Sequence, residues 1–128
     1  MNTPVLRVVL QRYGSDCSVA ALAMLCCTTY EEALLAMGLN EPRVLTGGAY
    51  MKQIEVAANA FGVHLTRKQK FNVEEDHGIM YVSNHTWPHG HVAVLWNGYI
   101  VDTDGTIWEP DVYQSVHAAK FGPLLVRT

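Results

Sequence analysis

The chain has 128 residues, 49% of them hydrophobic and 16% charged, with a formal net charge of −3. This length suits one domain over 1–128 with a core of its own, and the composition is not that of a disordered chain. The charge balance supplies no basic stripe for phosphates, so no nucleic-acid partner is expected; Arg67-Lys68-Gln69-Lys70 reads as a solvated element end.

Residues 4–10 predict a short strand, and Gly14, Ser15 and Asp16 give the next stretch a loop composition. From Cys17 to Cys27 the chain is rich in Ala, Leu and Met, which favours a helix with Asp16 as its cap and Cys17 in its first turn. Thr29-Tyr30-Glu31-Glu32 fits a capping box for a second helix ending near Gly38. Gly47-Gly48 breaks the chain and reads as a flexible entry to a third helix over 49–61, with Gly62 as its stop.

The period then changes. Residues 78–83 and 91–96 read as strands, and Asn97-Gly98 is a strong hairpin signal that returns 99–102 antiparallel. Residues 106–108 and 123–126 add two further candidate strands. Helices followed by strands argue for an α+β fold with a largely antiparallel sheet.

No run of 18 apolar residues is present to span a membrane, and residues 1–11 lack the long apolar core of a signal peptide. Cys17, Cys26 and Cys27 are an odd set with two neighbours, a poor disulfide framework, so a reducing, cytoplasmic setting is expected.

A cysteine nucleophile works as a thiolate, and a helix N-terminus favours that form through its partial positive charge and unpaired N–H groups. Cys17 is placed at such a start; Cys26 and Cys27 lie at the other end and read as core or near-core thiols. Of the six histidines, His91 is the best candidate base because it opens an apolar strand directly after Gly90. With a two-residue turn at Asn97-Gly98, Trp96 pairs with Tyr99, Ala93 opposes Asp102 and His91 opposes Asp104. Both aspartates then share the face of His91, and either can orient the imidazole. The Cys17 N–H and the Gln11 side chain are candidate oxyanion donors. Trp87 stands near the proposed His91, either covering the site or simply packing.

Gln11-Arg-Tyr-Gly-Ser-Asp-Cys17-Ser-Val-Ala-Ala resembles the nucleophile segment of the bacteriocin-processing, double-glycine-leader peptidases, which are papain-like. Residues 47–62 look like the middle helix of that family. Gly90-His91-Val-Ala-Val-Leu, the Asn97-Gly98 turn and Tyr99-Ile-Val-Asp102 resemble its histidine strand and the strand ending in the third catalytic residue. The resemblance spans roughly 8–110. It implies Gln11 as oxyanion donor, Cys17 as nucleophile, His91 as base and then acid, and Asp102 as orienter of His91. The implied activity is cysteine peptidase cleavage of a peptide or isopeptide bond in a peptide or protein substrate through a thioester, with no cofactor. Ser18 stands where the family usually has Gly, and Thr103 where Pro commonly follows the acid.

Three other readings compete. A related acyl-transfer enzyme or amidase would use the same residues, and an inactive papain-like binding or inhibitor module would keep the fold without the chemistry. A zinc site at His89-Gly-His91 with His85 or His77 lacks any CxxC or HExxH pattern.

Overall fold

The structure, a computed structural model, describes residues 6–39 and 51–128. Three helices come first: α1 (Cys17–Leu25), α2 (Tyr30–Ala36) and α3 (Met51–Asn59). Strands β1 (Leu65–Lys68), β2 (Gly78–Ser83), β3 (His91–Trp96), β4 (Tyr99–Val101) and β5 (Ile107–Trp108) follow, then α4 (Pro110–His117) and β6 (Lys120–Arg127). The sheet has the order β1-β6-β2-β3-β4-β5, and all of its pairs are antiparallel. The chain is therefore α+β, as its order of patterns implied.

Most expected elements stand where the sequence placed them. Thr29 does cap α2, its Oγ1 accepting from the Glu32 N–H at 3.1 Å. The hairpin pairs Trp96 with Tyr99, and Asn97 and Gly98 both take positive φ, as a two-residue turn of this kind requires. The strand expected over 4–10 is not found in its described part, 6–10. Leu6 and Val9 pack against the core, and just past them the Gln11 N–H donates to Thr103 O at 2.8 Å, a single bond that makes no ladder. Gly47-Gly48 lies outside the described residues. Two elements were not expected at all, β1 and α4.

The sheet is covered on both faces, and this explains its sequence. Strands β2 and β3 are nearly continuous apolar runs, because alternate residues enter two different cores. Ile79, Val92 and Val94 pack with α1, α2 and α3; Met80, Val82, Ala93 and Leu95 pack on the other side, with Tyr113 of α4. Helix α1 is buried on every side from Ser18 to Leu25 and lies against β3. Burying Leu22 or Leu25 fully contributes roughly 2–3 kcal/mol each. Among the described residues no single helix is long and apolar enough to cross a membrane.

Candidate active site

The N-terminus of α1, the start of β3 and the end of β4 come together at one end of the sheet. Packing of α1 on β3 brings Cys17 level with His91. Antiparallel pairing of β3 with β4 brings the residue just past β4, Asp102, back beside His91.

The loop before Cys17 is built around Asp16. Its side chain makes no cap bond to the helix. The carboxylate turns back and accepts from the N–H groups of Arg12 and Tyr13, each at 2.9 Å, and from the Tyr30 hydroxyl at 2.5 Å. It is fully buried, so three donors are what make an anion there tolerable. The same anion, together with burial as the larger effect, pushes the Tyr30 hydroxyl well above its ordinary pKa. Asp16 thus acts on the helix start by fixing the loop. Its own carbonyl accepts the first helical bonds, from Val19 and Ala20, and Cys17 N–H precedes them at the positive end of the helix.

Just before β3, Gly90 sets the approach to His91. It takes φ +72°, and a Cβ there would lie 2.3 Å from the Tyr81 hydroxyl oxygen. Only glycine lets the chain turn into the strand with the Tyr81 ring so close. His91 Nε2 and Asp102 Oδ1 are 2.6 Å apart, a charge-assisted hydrogen bond between two largely buried groups. With Nε2 committed to Asp102, Nδ1 is the ring nitrogen left for Cys17, whose thiol is within hydrogen-bonding reach of the imidazole. Burial alone would lower the His91 pKa. The hydrogen bonds to Asp102 and Cys17, with their charges, outweigh it and raise the pKa to about 10. For Asp102 burial pulls the other way, upward. The hydrogen bond and charge of His91, helped by the Thr103 N–H and the Tyr113 hydroxyl, win and lower its pKa.

Of the two aspartates that strand register placed on the face of His91, Asp102 is the one that meets it. The β3–β4 ladder ends at Val94–Val101, and beyond it the chain closes a tight turn, Gly105 N–H to Asp102 O at 3.1 Å. That turn carries Asp104 to the surface, where it accepts from the Thr106 N–H and hydroxyl. Gln11 sits beside this corner. Its backbone N–H donates to Thr103 O, its side-chain oxygen accepts from the Thr103 hydroxyl, and its Nε2 donates to Tyr13 O at 2.6 Å. An amide nitrogen has two hydrogens, so one donor on Gln11 Nε2 is not used by Tyr13. Trp87 packs its ring 5.4 Å from that of His91.

Two contributions were not anticipated. Tyr113, fully buried on α4, donates its hydroxyl to Asp102 Oδ2 at 3.1 Å. The Thr103 N–H donates to Asp102 Oδ1 at 2.8 Å. The signal for α4 was Glu109-Pro110-Asp111, with Pro at the first helical position and an acid in the first turn. Among the described residues no group of three or more His, Cys, Asp or Glu is placed to hold a metal ion.

No family model matches the sequence, and no curated protein matches it. Among solved structures, the chain is similar to a crystal structure of a double-glycine motif protease from an AMS/PCAT transporter in complex with the leader peptide. The TM-score is 0.65, with 15% identity over 97% of this chain and 93% of that one. The chain has the papain-like fold of that protease.

Proposed function

We propose that this chain is a cysteine peptidase in which Cys17 is the nucleophile, His91 its base and then acid, and Asp102 the residue that orients His91. The observation that carries this reading is the His91 Nε2–Asp102 Oδ1 contact of 2.6 Å, with the Cys17 thiol within hydrogen-bonding reach of the same imidazole. A carboxylate bound to one ring nitrogen fixes the tautomer and stabilises the imidazolium formed when the other accepts the thiol proton.

In this reading the Cys17 proton passes to His91 Nδ1 and the thiolate sulfur bonds to a peptide carbonyl carbon. The oxyanion is held by the Cys17 N–H and a Gln11 Nε2 hydrogen. The C–N bond then breaks as His91 returns its proton to the leaving amine, leaving a thioester. Water attacks the thioester, giving its proton to His91, and the acid is released with the thiol restored. The similar protease was crystallised with a leader peptide, which supports a peptide as the substrate class here. Cys17, Cys26 and Cys27 are all free thiols, which fits a reducing, cytoplasmic setting.

The test is alkylation of the native protein with iodoacetamide across pH, read at each cysteine by mass spectrometry, beside a panel of double-glycine leader peptides and isopeptides. Cys17 is expected to react fastest at neutral pH, to lose that lead in His91→Ala, and to be required for cleavage. An inert Cys17, or equal rates in both proteins, would sink the enzyme reading and leave a binding module.

A further inference from the structure

We infer that Tyr113 is a positioning residue, whose hydroxyl holds the Asp102 carboxylate in the orientation that receives His91 Nε2. The inference rests on the proposed catalytic set of Cys17, His91 and Asp102.

The carboxylate of Asp102 is 7% exposed and has little water to complete its hydrogen bonding. Its Oδ1 accepts from both His91 Nε2 and the Thr103 N–H. Those two donors meet one oxygen only, so the carboxylate is held from one side and the second oxygen of a buried anion is left without a donor from them. The Tyr113 hydroxyl supplies the missing donor at Oδ2, 3.1 Å away. With both oxygens held, the plane of the carboxylate is set.

Tyr113 is itself held firmly enough to do this. It is 0% exposed, its ring lies 4.4 Å from that of His117, and the Trp108 ring meets it edge-on at 5.8 Å. Burial, and then the charge and hydrogen bond of Asp102, push its hydroxyl far above its ordinary pKa, so it remains a donor throughout the working range. One turn further along α4, His117 packs at 5.7 Å on Trp87, which in turn backs His91. Helix α4 therefore supports both halves of the pair, one through a hydrogen bond and one through ring contacts. The other titratable groups acting on Asp102 and Tyr113 are His91 and Cys17 across the site, Asp104 on the turn and His117 on α4.

Tyr113→Phe removes the hydroxyl and keeps the ring. The readout is the pH titration of the His91 imidazole by NMR in histidine-labelled protein, which needs no turnover. A carboxylate held at one oxygen only is fixed less well and stabilises the imidazolium less, so the His91 pKa is expected to fall by about one pH unit. Alkylation of Cys17 at pH 7 is expected to slow about fivefold as the pair loosens. An unchanged or higher His91 pKa would overturn the inference, because a hydroxyl that merely drained charge from Asp102 would give a rise on removal. Trp108→Phe loosens the same ring cluster while leaving the hydrogen bond, and is expected to leave the His91 titration in place; an equal fall in this variant would also overturn it. If Tyr113→Phe does not fold, the wild-type protein decides: the Tyr113 hydroxyl proton is expected to be protected from exchange, and to lose protection in Asp102→Asn. A freely exchanging proton refutes the inference. A His91 shift in Tyr113→Phe without any peptide cleavage by the wild type would keep the positioning role and discard the peptidase reading.

Discussion

Helix α1 carries cysteines near both ends, and the two ends give the same side chain opposite surroundings. Cys17 occupies the first turn, with helix N–H groups below it and the His91–Asp102 pair beside it. At the other end the helix presents its carbonyls. Cys26 N–H bonds to Leu22 O, Cys27 N–H to Met24 O, and the Arg127 guanidinium donates to Leu25 O at 2.7 Å. Burial there pushes the Cys26 thiol up to about 11, with Arg127 offsetting only part of the effect. Both the helix dipole and the burial disfavour a thiolate at Cys26, whereas the N-terminus favours one. The contrast teaches that position along the helix and the neighbouring imidazole, rather than residue type, set the two thiols apart, which is the basis on which Cys17 is proposed as the nucleophile.

Removing the imidazole should erase most of that contrast. In His91→Ala the alkylation rate of Cys17 at pH 7 is expected to drop by about 10- to 100-fold, with Cys26 unchanged. Cleavage of any peptide the wild type accepts should fall by about a thousandfold or more. A Cys26 rate that rose as the Cys17 rate fell would show a general loosening of α1 and break the comparison.

A smaller blow comes from Gly90→Ala. The new methyl meets the Tyr81 hydroxyl at 2.3 Å on a backbone of φ +72°, so the strand start must shift. The expected loss is about 2–3 kcal/mol in urea denaturation. His91 moves with it, so Cys17 should lose about tenfold in alkylation while Cys26 keeps its rate. A stable Gly90→Ala protein with full Cys17 reactivity would show that the approach to His91 has slack.

The same pair makes stability depend on pH in a predictable sense. His91 is raised from 6.5 to about 10, so its contribution is complete below about 6.5 and is lost as pH climbs toward 10. Asp102 is lowered from 3.8, so its contribution is complete above about 3.8 and is lost on acidification below that value. The difference in urea midpoint between wild type and His91→Gln should therefore be largest between about pH 4 and 6.5 and shrink toward both extremes. A difference that grew from pH 7 to 10 would contradict the raised His91.

Much of this site was legible in the sequence because it rests on local signals. Asp16-Cys17 before an Ala-rich run, Gly90 before an apolar strand, and Asn97-Gly98 each have a local physical meaning, and the turn fixed the register that brought His91 near Asp102. Strand geometry alone did not separate Asp102 from Asp104, because it was extended past the point where the ladder stops; the family resemblance was what favoured Asp102. Helix α4 was missed because its sequence, Pro-Asp-Val-Tyr-Gln-Ser-Val-His, is short and mostly exposed, with only Tyr113 buried. Its trace lay elsewhere: His91 to Trp96 runs apolar at consecutive positions, which a sheet with one solvated face does not require. That run called for a second covering layer, and with it a donor for Asp102. Asp16 illustrates the converse, a residue placed correctly whose side chain serves the loop through Tyr30, a partner fourteen positions away.

The finest test of the two-ended helix lies one residue past Cys17. Ser18 is 1% exposed, and its hydroxyl is buried without a hydrogen-bond partner. An unsatisfied buried hydroxyl opposes folding, and alanine is the better helix former, so Ser18→Ala should stabilise the protein by about 1 kcal/mol. Ser18→Gly removes the same hydroxyl but gives back about 1 kcal/mol through backbone freedom, so it should be close to neutral. Thermal or urea unfolding of the two variants separates these effects. Neither change alters the N–H groups of the first turn or the His91–Asp102 pair, so Cys17 alkylation should stay within about twofold of wild type. If Ser18→Ala instead slows Cys17 while Cys26 holds its rate, the hydroxyl turns toward the thiolate as that group forms. The advantage of the N-terminal end would then come from a side chain as well as from the helix and the imidazole.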